Sequence, residues 1–146
     1  MSSRAPPVAV VLDTNVVLDL LLFADPSTEA LQTALAGGPW CWLATLPMRG
    51  ELARVLGYPA LAAPMARRGL CADRVLARFD RCSMLQPVAS AAAVRCSDPA
   101  DQCFVDLAVA HRALLLSKDK AVLRLRRRLA PLAVVVHPVF RLPPAA

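Results

Sequence analysis

Short apolar runs alternate with amphipathic segments along this chain. The continuous apolar runs Val8–Leu12 and Trp40–Ala44 predict strands that are buried on both faces. Three more strands are predicted at residues 83–88, 114–116 and 133–136. Helices are predicted over residues 16–23, from 27 or 28 to about 36, 47–56, 72–82, 98–112 and, as a basic helix, from 120 through 128. This alternation predicts an α/β fold, a three-layer α/β/α sandwich around a mostly parallel central sheet.

Two helices carry informative local signals. Asp98 can cap the helix that starts there, Pro99 suits its first position, and Asp101 stands where a capping box has its acid. The pattern of helix 72–82 predicts an inward face and an outer basic stripe. The inward face consists of Val75, Leu76, Phe79 and Cys82, and the stripe of Arg74, Arg78 and Arg81. Residues 60–69 give no clear helix or strand signal.

Composition adds that the chain is globular. At 146 residues and 57% hydrophobic, it predicts a single domain over residues 1–146, with a core at about 8–138 and a Pro-rich surface tail. The longest apolar stretch is interrupted by Asp19, and no secretory signal is recognised, so we expect a soluble cytoplasmic protein with no membrane association. The five cysteines form no C-x-x-C pair, which favours reduced structural thiols over disulfides or zinc.

The charge balance is basic. Lys and Arg number 17 against 11 acids, a net charge of +6, and Arg dominates. An Arg-rich surface suits phosphate groups and therefore nucleic acid. A GC-rich coding sequence would explain the same bias, so charge alone leaves nucleic-acid binding open.

Four acids are expected at one edge of the predicted sheet. Asp13 ends the first strand and Asp119 follows strand 114–116, while Asp101 opens the preceding helix and Glu51 lies on the helix after strand two. Sites in parallel sheets form at the carboxyl ends of strands, so these side chains can converge. Clustered carboxylates suit hard cations such as Mg²⁺ or Mn²⁺, which assist phosphodiester hydrolysis. Taken singly, Glu51 can be a solvated helix residue, and Asp101 and Asp119 can be helix caps.

At these residues the chain resembles a family. The segments VVLDTNVVLDLLL, SDPADQCFVDLAVA and LLLSKDKAVL, with a lone helix glutamate, resemble the PIN-domain ribonucleases. Within that family, they are most similar to the bacterial toxins of toxin–antitoxin pairs. The resemblance runs from Val8 to about Pro138, and its most specific parts are Asp-Thr-Asn and the 18-residue step from Asp101 to Asp119. It implies Mg²⁺- or Mn²⁺-dependent cleavage of single-stranded RNA that leaves a 5′-phosphate, an antitoxin protein as inhibitor, and a homodimer.

The resemblance also implies roles for individual residues. Asp13, Glu51, Asp101 and Asp119 match the metal-binding and catalytic acids, and Asp98 and Asp106 match positions that often carry acids. The sequence favours Asp98 as the helix cap. Asp106 lies five residues after Asp101 and so points roughly 140° away from it around the helix. Ser117 replaces the usual Thr but keeps the hydroxyl that can support an acid. Asn15 can orient a carboxylate or water, or cap the first helix.

Basic residues near the last acid have two interpretations. Lys118, Lys120 and Arg124 can hold RNA phosphates or form a solvated helix face.

The sequence argues against two other function classes. An aspartyl phosphatase usually needs a second Asp two residues after the first, where this chain has Asn15. A nucleotide-binding Gly-rich loop is excluded, since no strand is followed by one. The remaining alternative is a catalytically inactive PIN-like module that binds RNA or a partner.

Overall fold

The computed structural model describes residues 8–141, and its centre is a five-stranded sheet in which all paired strands are parallel. The strands are β1 (Val8–Leu12), β2 (Trp40–Ala44), β3 (Ser83–Leu85), β4 (Leu114–Leu116) and β5 (Val135–His137), in the order β3-β2-β1-β4-β5. Val10 on the central strand pairs with Trp42 on one side and Leu114 on the other. The predicted α/β sandwich is therefore confirmed.

Helices connect and flank the strands. They are α1 (Thr14–Leu21), α2 (Glu29–Gly37), α3 (Leu46–Leu56), α4 (Pro59–Arg67), α5 (Ala72–Cys82), α6 (Gln102–His111), α7 (Lys120–Leu123) and α8 (Arg126–Leu129). Short 3₁₀ turns cover Pro26–Thr28, Pro99–Asp101 and Ala130–Leu132. None of the helices described between residues 8 and 141 combines the length and apolar character needed to cross a membrane.

Several predicted bounds were wrong for local reasons. The sequence left residues 60–69 unassigned, but α4 forms there with Pro59 at its first position, where a missing N–H costs nothing. The basic helix predicted through residue 128 is instead two short helices, α7 and α8. β5 starts at Val135 rather than at 133, because Ala133 adopts a left-handed conformation (φ 63°) that closes the preceding turn. β3 ends before Pro87, which has no N–H to donate to a neighbouring strand.

The core lies on both faces of the sheet. Val10 and Val11 of β1 are fully buried, as predicted for a strand covered on both sides. Trp42 of β2 meets Phe79 of α5 edge to face, with ring centroids 5.0 Å apart. On the same helix Cys82 is exposed, contrary to the predicted inward face, because it lies in the last turn.

The segment after β5 is not wholly a surface extension. Phe140 is buried and contacts Trp40 edge to face, with ring centroids 4.9 Å apart. The core therefore extends beyond residue 138. The remainder of the predicted tail, residues 142–146, lies outside the described residues.

The strand order also fixes where a site can form. From the central strand β1 the chain proceeds first to β2 and β3 on one side, and later to β4 and β5 on the other. Such a reversal leaves a crevice beyond the carboxyl ends of the two strands that flank it, here β1 and β4.

Candidate metal centre

Asp13 stands at the mouth of this crevice. It follows β1 directly, is only 4% exposed, and occupies the N-cap position of α1. Its backbone N–H donates to the Leu116 carbonyl of β4 (3.0 Å), which fixes it between the two strands. Asn15, by contrast, is exposed at the second position of α1, so the predicted capping role for Asn15 was wrong.

Ser117 connects two of the predicted acids. Its hydroxyl donates to Asp13 Oδ2 (2.6 Å) and accepts from the Asp119 backbone N–H (3.0 Å). Burial raises the pKa of Asp13, and the Ser117 hydrogen bond opposes that rise. The hydroxyl expected to support an acid therefore links the ends of β1 and β4.

Three carboxylates converge beyond these strand ends. Asp98, Asp101 and Asp119 each offer an oxygen, and the three oxygens lie within 4.8 Å of one another. We refer to these three residues as the acidic cluster. Asp119 also caps α7, since its Oδ1 accepts from the Ala121 N–H (2.8 Å). The two interpretations of Asp119, as cap and as site residue, are compatible because a carboxylate has two oxygens.

Asp101 is the most constrained member of the cluster. The residue is 8% exposed, and its buried Oδ2 has no hydrogen-bond partner among the described residues. Burial, then the charge of Asp13, then a hydrogen bond that protonated Asp101 can make to Asp119, and the Asp119 charge, raise the pKa of Asp101 to about 7. Without a cation, the cluster is therefore under electrostatic stress near neutral pH.

Asp98 combines the cap role with membership of the cluster. Its Oδ1 accepts from the Ala100 N–H (3.0 Å) and begins the 3₁₀ turn that precedes α6, as the sequence predicted. The sequence favoured the cap role, whereas the structure also places the carboxylate beside Asp101 and Asp119.

Glu51 reaches the same region from α3. Its Oε2 accepts a hydrogen bond from Thr14 Oγ1 (3.1 Å), and its charge contributes, after burial, to raising the pKa of Cys103 to about 11. Glu51 is not one of the three acids of the tight cluster. Thr14 was not recognised from sequence, although its place directly after Asp13 was the available signal.

Asp106 lies on α6 outside the acidic cluster. Its Oδ1 accepts from the Ala92 N–H (2.9 Å) and from Gln102 Nε2 (2.8 Å). Gln102 is a second residue that sequence reasoning missed, since its partners lie in a loop whose path has no sequence signature.

The basic residues predicted to contact RNA differ in whether an acid of the protein already pairs with them. Lys118 forms an ion pair with Asp19, whereas Lys120 and Arg124 are exposed on and just after α7. The latter two residues remain available to a phosphate backbone.

The donor atoms suit a hard divalent cation. The cluster presents only carboxylate oxygens, which Mg²⁺ and Mn²⁺ prefer over softer ligands. Asp101, a member of the cluster, also has an oxygen that no protein donor satisfies. The residues present therefore fit such an ion.

Comparison with known proteins agrees with this geometry. A family model described as PIN domain matches residues 9–121, a span that includes every acid discussed above. Proteins with this domain are generally nucleases and typically use divalent metals. A search of curated proteins found no match. Because the match covers well over half of the chain, the protein belongs to the PIN domain family.

Proposed function

We propose that this protein is a Mg²⁺- or Mn²⁺-dependent endoribonuclease that hydrolyses single-stranded RNA. The observation that carries the proposal is the acidic cluster, of which one member, Asp101, has a buried and unpartnered Oδ2. A purely structural set of acids has no need for an oxygen in that state, because leaving it unpaired is costly. Membership of the PIN domain family supports the same chemistry.

Each acid has a distinct position from which to act. We assign Asp98, Asp101 and Asp119 to holding the cation, with Asp13 close enough to influence the charge on Asp101. A divalent ion bound there would lower the pKa of water and neutralise charge that develops on the phosphodiester. Glu51, oriented by Thr14, completes the site or accepts a proton from the attacking water.

The surface next to the cluster can bind an RNA backbone. Lys120 and Arg124 are exposed within five residues of Asp119 on the chain. Contacts from such residues to phosphates are independent of sequence and weaken as salt rises. We therefore expect RNA binding to depend on ionic strength.

We further propose that the protein is the toxin of a toxin–antitoxin pair. A groove of about 490 Å³ runs between α1, α2 and α5. Its lining combines apolar side chains with two arginines: Leu20, Leu21, Gln32, Leu35, Ala36, Arg78, Arg81 and Cys82. An antitoxin segment with apolar and acidic side chains would complement it. Exposed Met84, Leu85 and Val88, at and after edge strand β3, support the homodimer that we also propose.

The test is cleavage of a labelled single-stranded RNA by the purified protein, with Mn²⁺ and with EDTA. Asp101→Asn removes one charge from the cluster. Asp80→Asn makes the same change at an exposed carboxylate that pairs with Arg49, and serves as the matched control. We expect Mn²⁺-dependent cleavage by the wild type and by the control variant, but not by Asp101→Asn.

Two other outcomes would be informative. If the wild type binds the RNA but never cuts it with any divalent ion, the nuclease proposal fails and the inactive binding module replaces it. If a double-stranded or DNA substrate is cut in preference, the metal-dependent nuclease stands and the proposed substrate is wrong.

A further inference from the structure

The segment that leads to the acidic cluster is irregular but buried in part. Residues 86–98 contain no helix or strand, and along them Ala92, Val94 and Cys96 are buried while the residues between are exposed. This is the alternation of a strand, yet the segment is not part of the sheet. Its buried backbone N–H and C=O groups therefore need partners from elsewhere.

Side chains of α6 supply those partners. Gln102 Oε1 accepts from the Cys96 N–H (2.6 Å), and its Nε2 donates to the Val94 carbonyl (3.1 Å). One helical turn further on, Asp106 accepts from the Ala92 N–H (2.9 Å) and from Gln102 Nε2 (2.8 Å). The two side chains thus hold three alternate residues of the segment, and Gln102 is 7% exposed.

The held segment ends at a member of the cluster. Asp98 lies two residues after Cys96, and Gln102 directly follows Asp101. We propose that Gln102, supported by Asp106, is a positioning residue that fixes residues 92–96 and thereby keeps the Asp98 carboxylate beside Asp101 and Asp119. Neither residue is a ligand; Gln102 acts on the site through Asp98.

This inference rests on the proposed function, because it assumes that the cluster binds a divalent cation. The experiment measures Mn²⁺ affinity of the full chain by calorimetry or electron paramagnetic resonance, without RNA. Gln102→Met keeps the side-chain volume but removes all three hydrogen bonds. We expect it to raise the Kd for Mn²⁺ by about 10–100-fold, as is usual when a residue that orients a metal ligand is lost.

A double-mutant cycle separates positioning from general damage. If Gln102 acts through Asp98, Gln102→Met should weaken Mn²⁺ binding strongly in the wild type and hardly at all in an Asp98→Asn background. An equal loss in both backgrounds, or unchanged affinity in the single variant, overturns the inference. If the wild type itself binds no Mn²⁺, the proposed function fails together with the inference.

A second pair of variants covers the case in which Gln102→Met does not fold. Asp106 is half-buried, and Asp106→Asn keeps an oxygen that can accept from Ala92 and Gln102, whereas Asp106→Ala keeps none. We expect Asp106→Ala to weaken Mn²⁺ binding and Asp106→Asn to retain most of the wild-type affinity. If both variants bind Mn²⁺ as the wild type does, or if both lose binding equally, hydrogen bonding by Asp106 does not position the site.

Discussion

Replacing Asp101 by Asn should have opposite effects on the protein with and without a divalent cation. In the folded protein, burial, the charge of Asp13, and the hydrogen bond and charge of Asp119 raise the pKa of Asp101 from 3.8 to about 7. Near neutral pH the folded state must therefore either keep a proton on Asp101 or tolerate its charge. Asn keeps the shape of the side chain and removes that charge. The substitution should therefore stabilise the metal-free protein, but it also removes a proposed metal ligand and so weakens cation binding.

The size of the effect follows from the shift in pKa. One pKa unit corresponds to 1.36 kcal/mol, so a rise of about three units sets an upper bound of about 4 kcal/mol. Because Asp98 is exposed, solvent and salt reach the cluster and weaken these interactions. We therefore expect about half of this upper bound, roughly 2 kcal/mol, as the destabilisation of the metal-free wild type. Between about pH 4 and 7 the folded state binds more protons at Asp101 than the unfolded state does. The free energy of unfolding of the metal-free wild type therefore falls as pH rises through this range. The full destabilisation by Asp101 is reached above about pH 7.

The assay is unfolding of the wild type and of Asp101→Asn in EDTA at pH 5 and pH 8. At pH 8 the variant should be the more stable, with a Tm about 4–8 °C higher for a chain of this size, and the gap should shrink at pH 5. Groups that titrate in both proteins, such as Asp80 with its lowered pKa, cancel in the difference. Mn²⁺ at 100 times its Kd should stabilise the wild type by about 2.7 kcal/mol and so reverse the order.

Two results would refute this reasoning. A variant that is less stable than the wild type at pH 8 in EDTA would show that Asp101 is not under electrostatic stress. A stability difference that is the same at pH 5 and pH 8 would show that its titration does not contribute.

The remaining predictions concern the support of the site and the core. Ser117→Ala removes the donor to Asp13, so the pKa of Asp13 should rise further and Mn²⁺ affinity should fall about 10–100-fold; unchanged affinity in calorimetry would contradict this. Thr14→Val keeps the side-chain shape but removes the hydrogen bond to Glu51. A lost hydrogen bond of about 0.5–1.5 kcal/mol corresponds to a kcat about 2–13-fold lower. Steady-state RNA cleavage should show this with Mn²⁺ affinity retained, and a matching loss of affinity would assign Thr14 to ion binding instead. Phe79→Ala opens a cavity beside β2 and should lower the free energy of unfolding, measured in urea, by about 3–5 kcal/mol. A loss below about 1 kcal/mol would mean that the surrounding core residues move in to fill the cavity.

Local signals were sufficient to predict much of the fold. The bounds of β1, β2, β4 and α5 match the predicted ones, because apolar runs and helical periodicity act over a few neighbouring residues. The end of the chain was harder to predict. The left-handed turn at Ala133 and the contact between Phe140 and Trp40 depend on tertiary packing that no local pattern reveals.

The candidate site was likewise predictable from the sequence only in part. Asp13 and Asp119 could be placed because strand ends in a parallel sheet meet at one edge, and the sheet is as expected. For Asp98 the sequence favoured the cap over the site, since a sequence does not show that one oxygen caps while the residue also joins a cluster. Gln102 could not be found, because its partners belong to a segment whose path is set only in the folded protein.

The distribution of charge gives a further reason to regard the cluster as a binding site. The chain carries a net charge of +6, yet the salt bridges among residues 8–141 are Arg49–Asp80, Arg54–Glu51 and Lys118–Asp19. None of them neutralises a member of the acidic cluster, even though Lys118 is adjacent to Asp119 in the sequence. Like charges left together raise one another's pKa unless a cation separates them. A fold with excess positive charge that gives these acids no basic partner keeps carboxylates concentrated at one point, and a divalent cation from solution is a partner that such a cluster favours.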